Sequence, residues 1–138
     1  MNLEQLEQKI RSDFRVFLTL VWKELDLPKP TRAQLCIADY LQNGPKRLQI
    51  SAFRGVGKSW ITGAFVLWTL FHDQEKKIMI ISASKERADN MSIFLQKLIM
   101  ETPWLTHMIP KSDNSRRSRI SFDISCAPHQ APSVKSVG

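Results

Sequence analysis

An α/β fold, a parallel sheet flanked by helices, is what the sequence predicts. Three observations predict it. Apolar residues recur at three- and four-residue steps in several long segments, the mark of helices with one buried face. Two short apolar runs, residues 48–53 and 78–81, lie between those segments, and Ile78-Met79-Ile80-Ile81 is apolar without interruption. Such a run fits a parallel strand covered on both faces. Between the first run and the next helix lies a glycine-containing loop, so strands alternate with helices.

The chain has 138 residues, 43% hydrophobic and 24% charged. That is one domain's worth of chain with an ordinary globular composition. A net charge of +7 favours polyanionic partners such as nucleic acid, without excluding a merely soluble basic surface. Cys36 and Cys126 have neither CxxC spacing nor a nearby His pair, so a disulfide framework or zinc site is not expected and both read as reduced structural thiols. His72, His107 and His129 are scattered. The charged N-terminus is unlike a signal peptide, and the apolar stretch 60–71 is too short to span a bilayer. A soluble cytosolic protein without membrane association is expected.

In chain order, Leu3, Leu6, Ile10, Phe14, Phe17, Leu18, Val21 and Leu25 predict one amphipathic helix, with Trp22 in the core. Pro28 and Pro30 end it. Thr31 and Gln34 have capping-box spacing for a second helix, stopped by Asn43-Gly44-Pro45. A third helix, 58–71, is apolar nearly all round and is expected to be buried on most sides. Residues 73–77 form a polar turn, and a helix over 85–101 ends before Pro103. Residues 104–110 read as a loop or short helix, 119–124 as an alternating edge strand, and 125–138 as loop.

The loop carries the chemistry. Ala52-Phe53-Arg54-Gly55-Val56-Gly57-Lys58-Ser59 fits G-x-x-x-x-G-K-[ST], with Ala52 where the first glycine stands. Backbone N–H groups over 55–58 can form an anion nest, and Gly55 and Gly57 let the backbone approach phosphate closely. Lys58 can reach between terminal phosphates, Ser59 can offer its hydroxyl to Mg²⁺, and the following helix adds its positive N-terminal end. A random chain of this length shows the pattern, with Ala allowed at the first position, roughly one time in a hundred. Ala52 marks a variant loop, since the first position mainly makes the strand-to-loop turn. Arg54 has two readings: a second cation stabilising charge during phosphoryl transfer, or a solvated side chain. Gln34 also has two. It caps its helix, or, because Pro-Thr-x-x-Gln upstream of such a loop resembles the adenine-recognising glutamine motif of nucleic-acid motor ATPases, its carboxamide meets the N6 and N7 edge of adenine.

The loop, the following Ala64-Phe65-Val66-Leu67-Trp68-Thr69-Leu70, and Ser82-Ala83-Ser84-Lys85-Glu86-Arg87-Ala88-Asp89 together resemble the large terminase subunit of short-tailed, podovirus-like phages, also called DNA maturase B. Residues 14–27 and 132–138 fit as well, so the resemblance covers nearly the whole chain. It implies the P-loop NTPase fold of the ASCE, RecA/terminase-like kind. It implies an ATP- and Mg²⁺-dependent motor that drives double-stranded DNA into a procapsid, and a parent protein that is also an endonuclease. Portal protein and small terminase subunit would be partners, in a homo-oligomeric ring. The place of action would be the bacterial host cytoplasm, at the portal vertex during packaging. Carried over by position, Lys58 and Arg54 would be catalytic. Gln34, Ala52, Phe53, Arg54, Gly55, Val56, Gly57, Lys58 and Ser59 would hold the nucleotide, and Ser59 the metal. Residues 82–85 would lie near DNA or the coupling machinery.

The expected organisation is a helical segment with the adenine motif at 1–45 and a P-loop core at 46–138, the N-terminal portion of an ATPase domain. No apolar strand ending in Asp-Asp or Asp-Glu follows the loop, and Asp123 ends an alternating run unlike a buried Walker B strand. The expectation is therefore a sheet incomplete at its C-terminus, without the Walker B acid, the catalytic Glu and the nuclease. Two alternatives stand beside this: a non-catalytic nucleotide- or DNA-binding module, and a fragment of a helicase-type ATPase.

Overall fold

The computed structural model describes residues 2–53, 55–108, 121–122 and 132–138, with backbone only at 106–108. It is an α/β structure that divides into two compact units, Met1–Trp68 and Thr69–Gly138.

The first unit opens with α1 (Leu3–Ser12), started by an Asn2–Gln5 capping box, and α2 (Phe14–Glu24). The sequence predicts one helix here; the structure has two. Asp13 leaves the helical region (φ −139°, ψ 110°), closes α1 with its own N–H and caps α2 with its carboxylate. Its oxygens accept from the Arg15 amide at 2.9 Å and from the Arg15 guanidinium at 3.1 Å. The guanidinium bonds chiefly hold the Asp13 carboxyl below its ordinary pKa; burial opposes them, and the amide bond and the Arg15 charge add lesser lowering effects. A short carboxylate that bonds local backbone competes well with helix continuation.

The break is also held from a distance. Gln42, on α3 (Arg32–Asn43), accepts from the Phe14 N–H at 3.0 Å and donates to the Ser12 carbonyl at 2.8 Å. One side chain thus satisfies an orphan donor at the start of α2 and an orphan acceptor at the end of α1. Gln42→Ala is expected to cost about 1–3 kcal/mol, read as a shift in the urea midpoint. An unchanged midpoint would show that water serves those groups equally well.

Phe14, Phe17, Leu18 and Val21 of α2 are fully buried. Phe14 packs edge-on against Phe65 at 5.2 Å and lies 5.5 Å from Trp68, both on α4 (Lys58–His72). Trp68 donates its indole N–H to the Ile10 carbonyl at 2.8 Å. As the sequence predicts, α4 is buried on most sides, with Ile61, Ala64, Leu67 and Leu70 inaccessible. Trp22 is in the core, as expected, at 3% exposure. Cys36 is a free thiol but exposed, which corrects the expectation of a structural one; Cys126 lies outside the described residues.

Residues 48–53, predicted as the strand leading into the loop, do not form a strand. Their apolar pattern suits a strand, but a strand exists only where a neighbour takes up its backbone hydrogen bonds. Among the described residues nothing pairs with them in a sheet.

The second unit holds β1 (Ile78–Ile81), α5 (Lys85–Glu101, capped by Ser84), a 3₁₀ turn at Pro103–Met108, β2 (Ser121–Phe122) and β3 (Val134–Val137). The strands form one small mixed sheet in the order β1-β3-β2. β3 runs parallel to β1 in the register Ile78↔Val134 to Ile81↔Val137, and antiparallel to β2. β2 falls within the predicted edge strand. Residues 134–137, however, were expected to be loop and form the central strand. Four residues with Lys135 and Ser136 among them give no apolar run, and pairing on both sides makes the strand. A second correction concerns β1, expected to be covered on both faces: Met79 is 60% and Ile81 75% exposed. α5 packs against β3 with Ala88, Leu95, Leu98 and Ile99 buried. Gly138 follows β3 where any Cβ would run into the backbone of Ser84 and Lys85, so only glycine fits at the start of α5.

Candidate functional site

The site lies in the first unit, where the loop 52–59 meets the start of α3. Gly55 and Gly57 both have positive φ, +92° and +89°, a backbone that L side chains rarely adopt. Among the described residues, Asp26 is the one non-glycine with positive φ. Ala52 therefore has ordinary backbone geometry, and no glycine is required where the sequence departs from the pattern. Between the two glycines, Val56 is buried and its N–H donates to the Phe53 carbonyl at 3.4 Å.

Lys58 is the first residue of α4, and its ammonium donates to the Ala52 carbonyl at 3.2 Å. The loop thus closes on itself through its own lysine. A cation held by a single neutral acceptor is readily recruited by a stronger anionic one. Ser59 is exposed in the first turn of the same helix, and Phe53 is exposed on the loop. Arg54 lies outside the described residues.

Gln34 is held from several sides. The predicted capping box is present: the Gln34 N–H donates to Thr31 Oγ1 at 3.2 Å, and Gln34 Oε1 accepts from the Thr31 N–H at 3.0 Å. The same Oε1 accepts from Trp22 Nε1 at 3.3 Å, while Nε2 donates to the Val56 carbonyl at 3.0 Å. The residue read as either a cap or a ligand contact is therefore a cap that also grips the loop.

Beside it lies a cavity of about 350 Å³, in the range of small-molecule sites. Trp22, Leu27, Pro28 and Trp60 give it apolar surface, and Gln34, Gly55 and Gly57 line it too. Trp22 and Trp60 meet edge to face, 6.4 Å apart at 85°. Sequence reasoning did not place Trp22, Leu27, Pro28 or Trp60 at the site. Trp60 carries a weak signal, since it directly follows the loop serine on the most accessible turn of an apolar helix. Trp22 carries none, because its spacing is that of a core residue.

The structure thus brings together Gln34, Ala52, Gly55, Val56, Gly57 and Lys58. A glycine loop with two positive-φ positions runs into a helix headed by a lysine, beside an apolar cavity. No family model matches the chain. The terminase large subunit of Enterobacteria phage T3 is 51% identical to it over 132 residues, 94% of this chain and 22% of the relative. The resemblance read from the residues is borne out by that match, and the chain spans about a fifth of the relative's length. No helix among the described residues is long and apolar enough to cross a membrane.

Proposed function

We propose that this chain is the ATP-binding portion of a viral DNA-packaging motor, the N-terminal part of a terminase large subunit's ATPase domain. The observation that carries it is the 51% identity to a terminase large subunit over 94% of the chain. The positive-φ glycines, the lysine at the head of α4 and the adjoining cavity support nucleotide binding within it. The same identity favours this reading over a helicase-type ATPase.

In this reading the loop amides and Lys58 bind the terminal phosphates, with the N-terminal end of α4 behind them. Ser59 gives its exposed hydroxyl to Mg²⁺, which would neutralise phosphate charge. Arg54 stabilises charge that develops on phosphoryl transfer. The base enters the cavity beside Gln34, against the apolar surface that Trp22, Leu27, Pro28 and Trp60 give it. The sheet and loop belong to a P-loop NTPase core at 46–138, preceded by the helical segment 1–45. Double-stranded DNA, portal protein and small terminase subunit are the partners, the assembly is a ring of like subunits, and the place of action is the host cytoplasm at the procapsid portal. The alternative of a non-catalytic nucleotide- or DNA-binding module rests on the same loop without the motor context.

Calorimetric titration of the 138-residue chain with Mg-ATP tests the reading. Binding is expected in the micromolar to millimolar range, with turnover near background, because no strand in these residues ends in the paired acids that hold Mg²⁺ and activate water. Robust hydrolysis abolished by Lys58→Ala would contradict the part about turnover. Absence of binding would contradict the whole.

A further inference from the structure

Resting on the nucleotide reading above, we propose that Gln34, kept in place by Trp22, is a positioning residue for phosphate binding: it fixes the direction of the Gly57 amide without touching the phosphates. The peptide between Val56 and Gly57 is the point of leverage. Gly57 has φ +89°. Turning that peptide over would carry Gly57 to the mirror-image φ, which glycine accepts as readily. Backbone preference at 57 therefore does not choose between the two orientations. A hydrogen bond does. Gln34 Nε2 donates to the Val56 carbonyl at 3.0 Å, and a Cβ on Gly57 would lie 3.5 Å from the same nitrogen. No peptide bond among the described residues is cis. The Gly57 N–H therefore points the opposite way from the Val56 carbonyl, away from Gln34.

The carboxamide can hold that carbonyl only with its nitrogen, and its other partners keep it turned that way. Trp22 Nε1 and the Thr31 N–H are donors only, so both require the oxygen, at 3.3 and 3.0 Å. Trp22 is almost wholly buried, where an indole N–H without a partner is costly. The same indole meets Trp60, the residue after Ser59, edge to face. α2 thus bears on the loop through Gln34 and on the head of α4 through Trp60. With the peptide turned over, the Val56 carbonyl would stand where the amide had been. The loop would lose one donor toward an anion and gain one repelling dipole. The effect falls on the phosphates, whatever base is attached to them.

The test uses Mg-tripolyphosphate, which carries the phosphates and no base, on the 138-residue chain and four variants. Binding to the unaltered chain should be lost in Lys58→Ala, which places the ligand at the loop. Gln34→Leu removes the donor without adding charge; Gln34→Glu removes it and keeps the capping box. Trp22→Phe keeps a ring and removes only the support. The dissociation constant should rise about tenfold in both Gln34 variants and about two- to fivefold in Trp22→Phe, for one charge-assisted bond lost or loosened. In the unaltered chain, a nuclear Overhauser contact between the Gln34 side-chain amide and the Gly57 α-protons should persist when Mg-tripolyphosphate is bound. Unchanged tripolyphosphate affinity in either folded Gln34 variant overturns the inference, because a residue that serves only the base leaves a base-free ligand untouched. Loss of the Overhauser contact on binding overturns it too, and decides alone should the variants not fold. The two levels fail separately. Lys58-dependent binding that is equal in the unaltered chain and the Gln34 variants leaves the nucleotide reading standing. No binding of Mg-ATP or Mg-tripolyphosphate overturns both.

Discussion

Lys58→Ala should remove nucleotide binding while leaving the fold intact. Among the described residues the ammonium makes one hydrogen bond, to the Ala52 carbonyl at 3.2 Å, and it is only half-buried. Losing a single partly exposed bond of that kind costs about 1–2 kcal/mol of stability, and alanine is a better helix former than lysine at the head of α4. Toward a nucleotide the balance is different. Charge-assisted bonds to phosphate are each worth about 1.5–3 kcal/mol, and a lysine between two phosphates makes more than one. Affinity for Mg-ATP should fall by roughly a hundredfold or more, with the thermal midpoint moved by only a few degrees. Lys58→Arg keeps the charge but presents a bulkier planar fork in place of a compact ammonium, and should recover only part of the affinity. Equal titration curves for Lys58→Ala and the unaltered chain would show that the loop is not the phosphate site.

Phe14→Ala should have the opposite profile, a loss of fold first and of function only as its consequence. The ring is wholly inaccessible and meets Phe17, Phe65 and Trp68 with centroids 6.3, 5.2 and 5.5 Å away. Emptying such a site costs about 3–5 kcal/mol, a large share of the roughly 5–15 kcal/mol that holds a domain together. The thermal midpoint should drop by roughly 10–20 °C. The near-ultraviolet signal of the tryptophans should weaken as well, since Trp68 is tied to α1 through the Ile10 carbonyl. Phe14→Leu refills most of the volume and should cost far less. A midpoint that barely moves in Phe14→Ala would mean that this aromatic cluster does not hold α2 against α4.

Some features were legible because they are local. The capping box at Thr31 and Gln34 spans three residues and forms as read. The loop was legible because its glycines and lysine are needed at fixed spacing whatever surrounds them, and both glycines take the positive φ that the spacing implies. α4, α5 and the end of α5 before Pro103 follow from periodicity and from proline's missing donor. Other features depend on a partner far along the chain. The break at Asp13 has a local half in Arg15 and a distant half in Gln42, 28 residues past Phe14. The apolar pattern across 3–25 conceals both.

By itself, then, the sequence determined the α/β character, the helices with one buried face, the glycine-and-lysine spacing of the loop at 52–59 and the likeness to a terminase large subunit. These rest on residue type at short spacing. Tertiary structure alone decided three things. Residues 134–137 become the central strand because β1 and β2 supply ladders on both sides, while the more apolar 48–53 has no such partner among the described residues. Trp22, Leu27, Pro28 and Trp60 come to line one cavity. Gln34, which can serve as a cap or as a ligand contact, is held by Trp22 and Val56. Hydrogen bonds and cavities need two sides, and in each of these cases the second side lies beyond the reach of any local pattern.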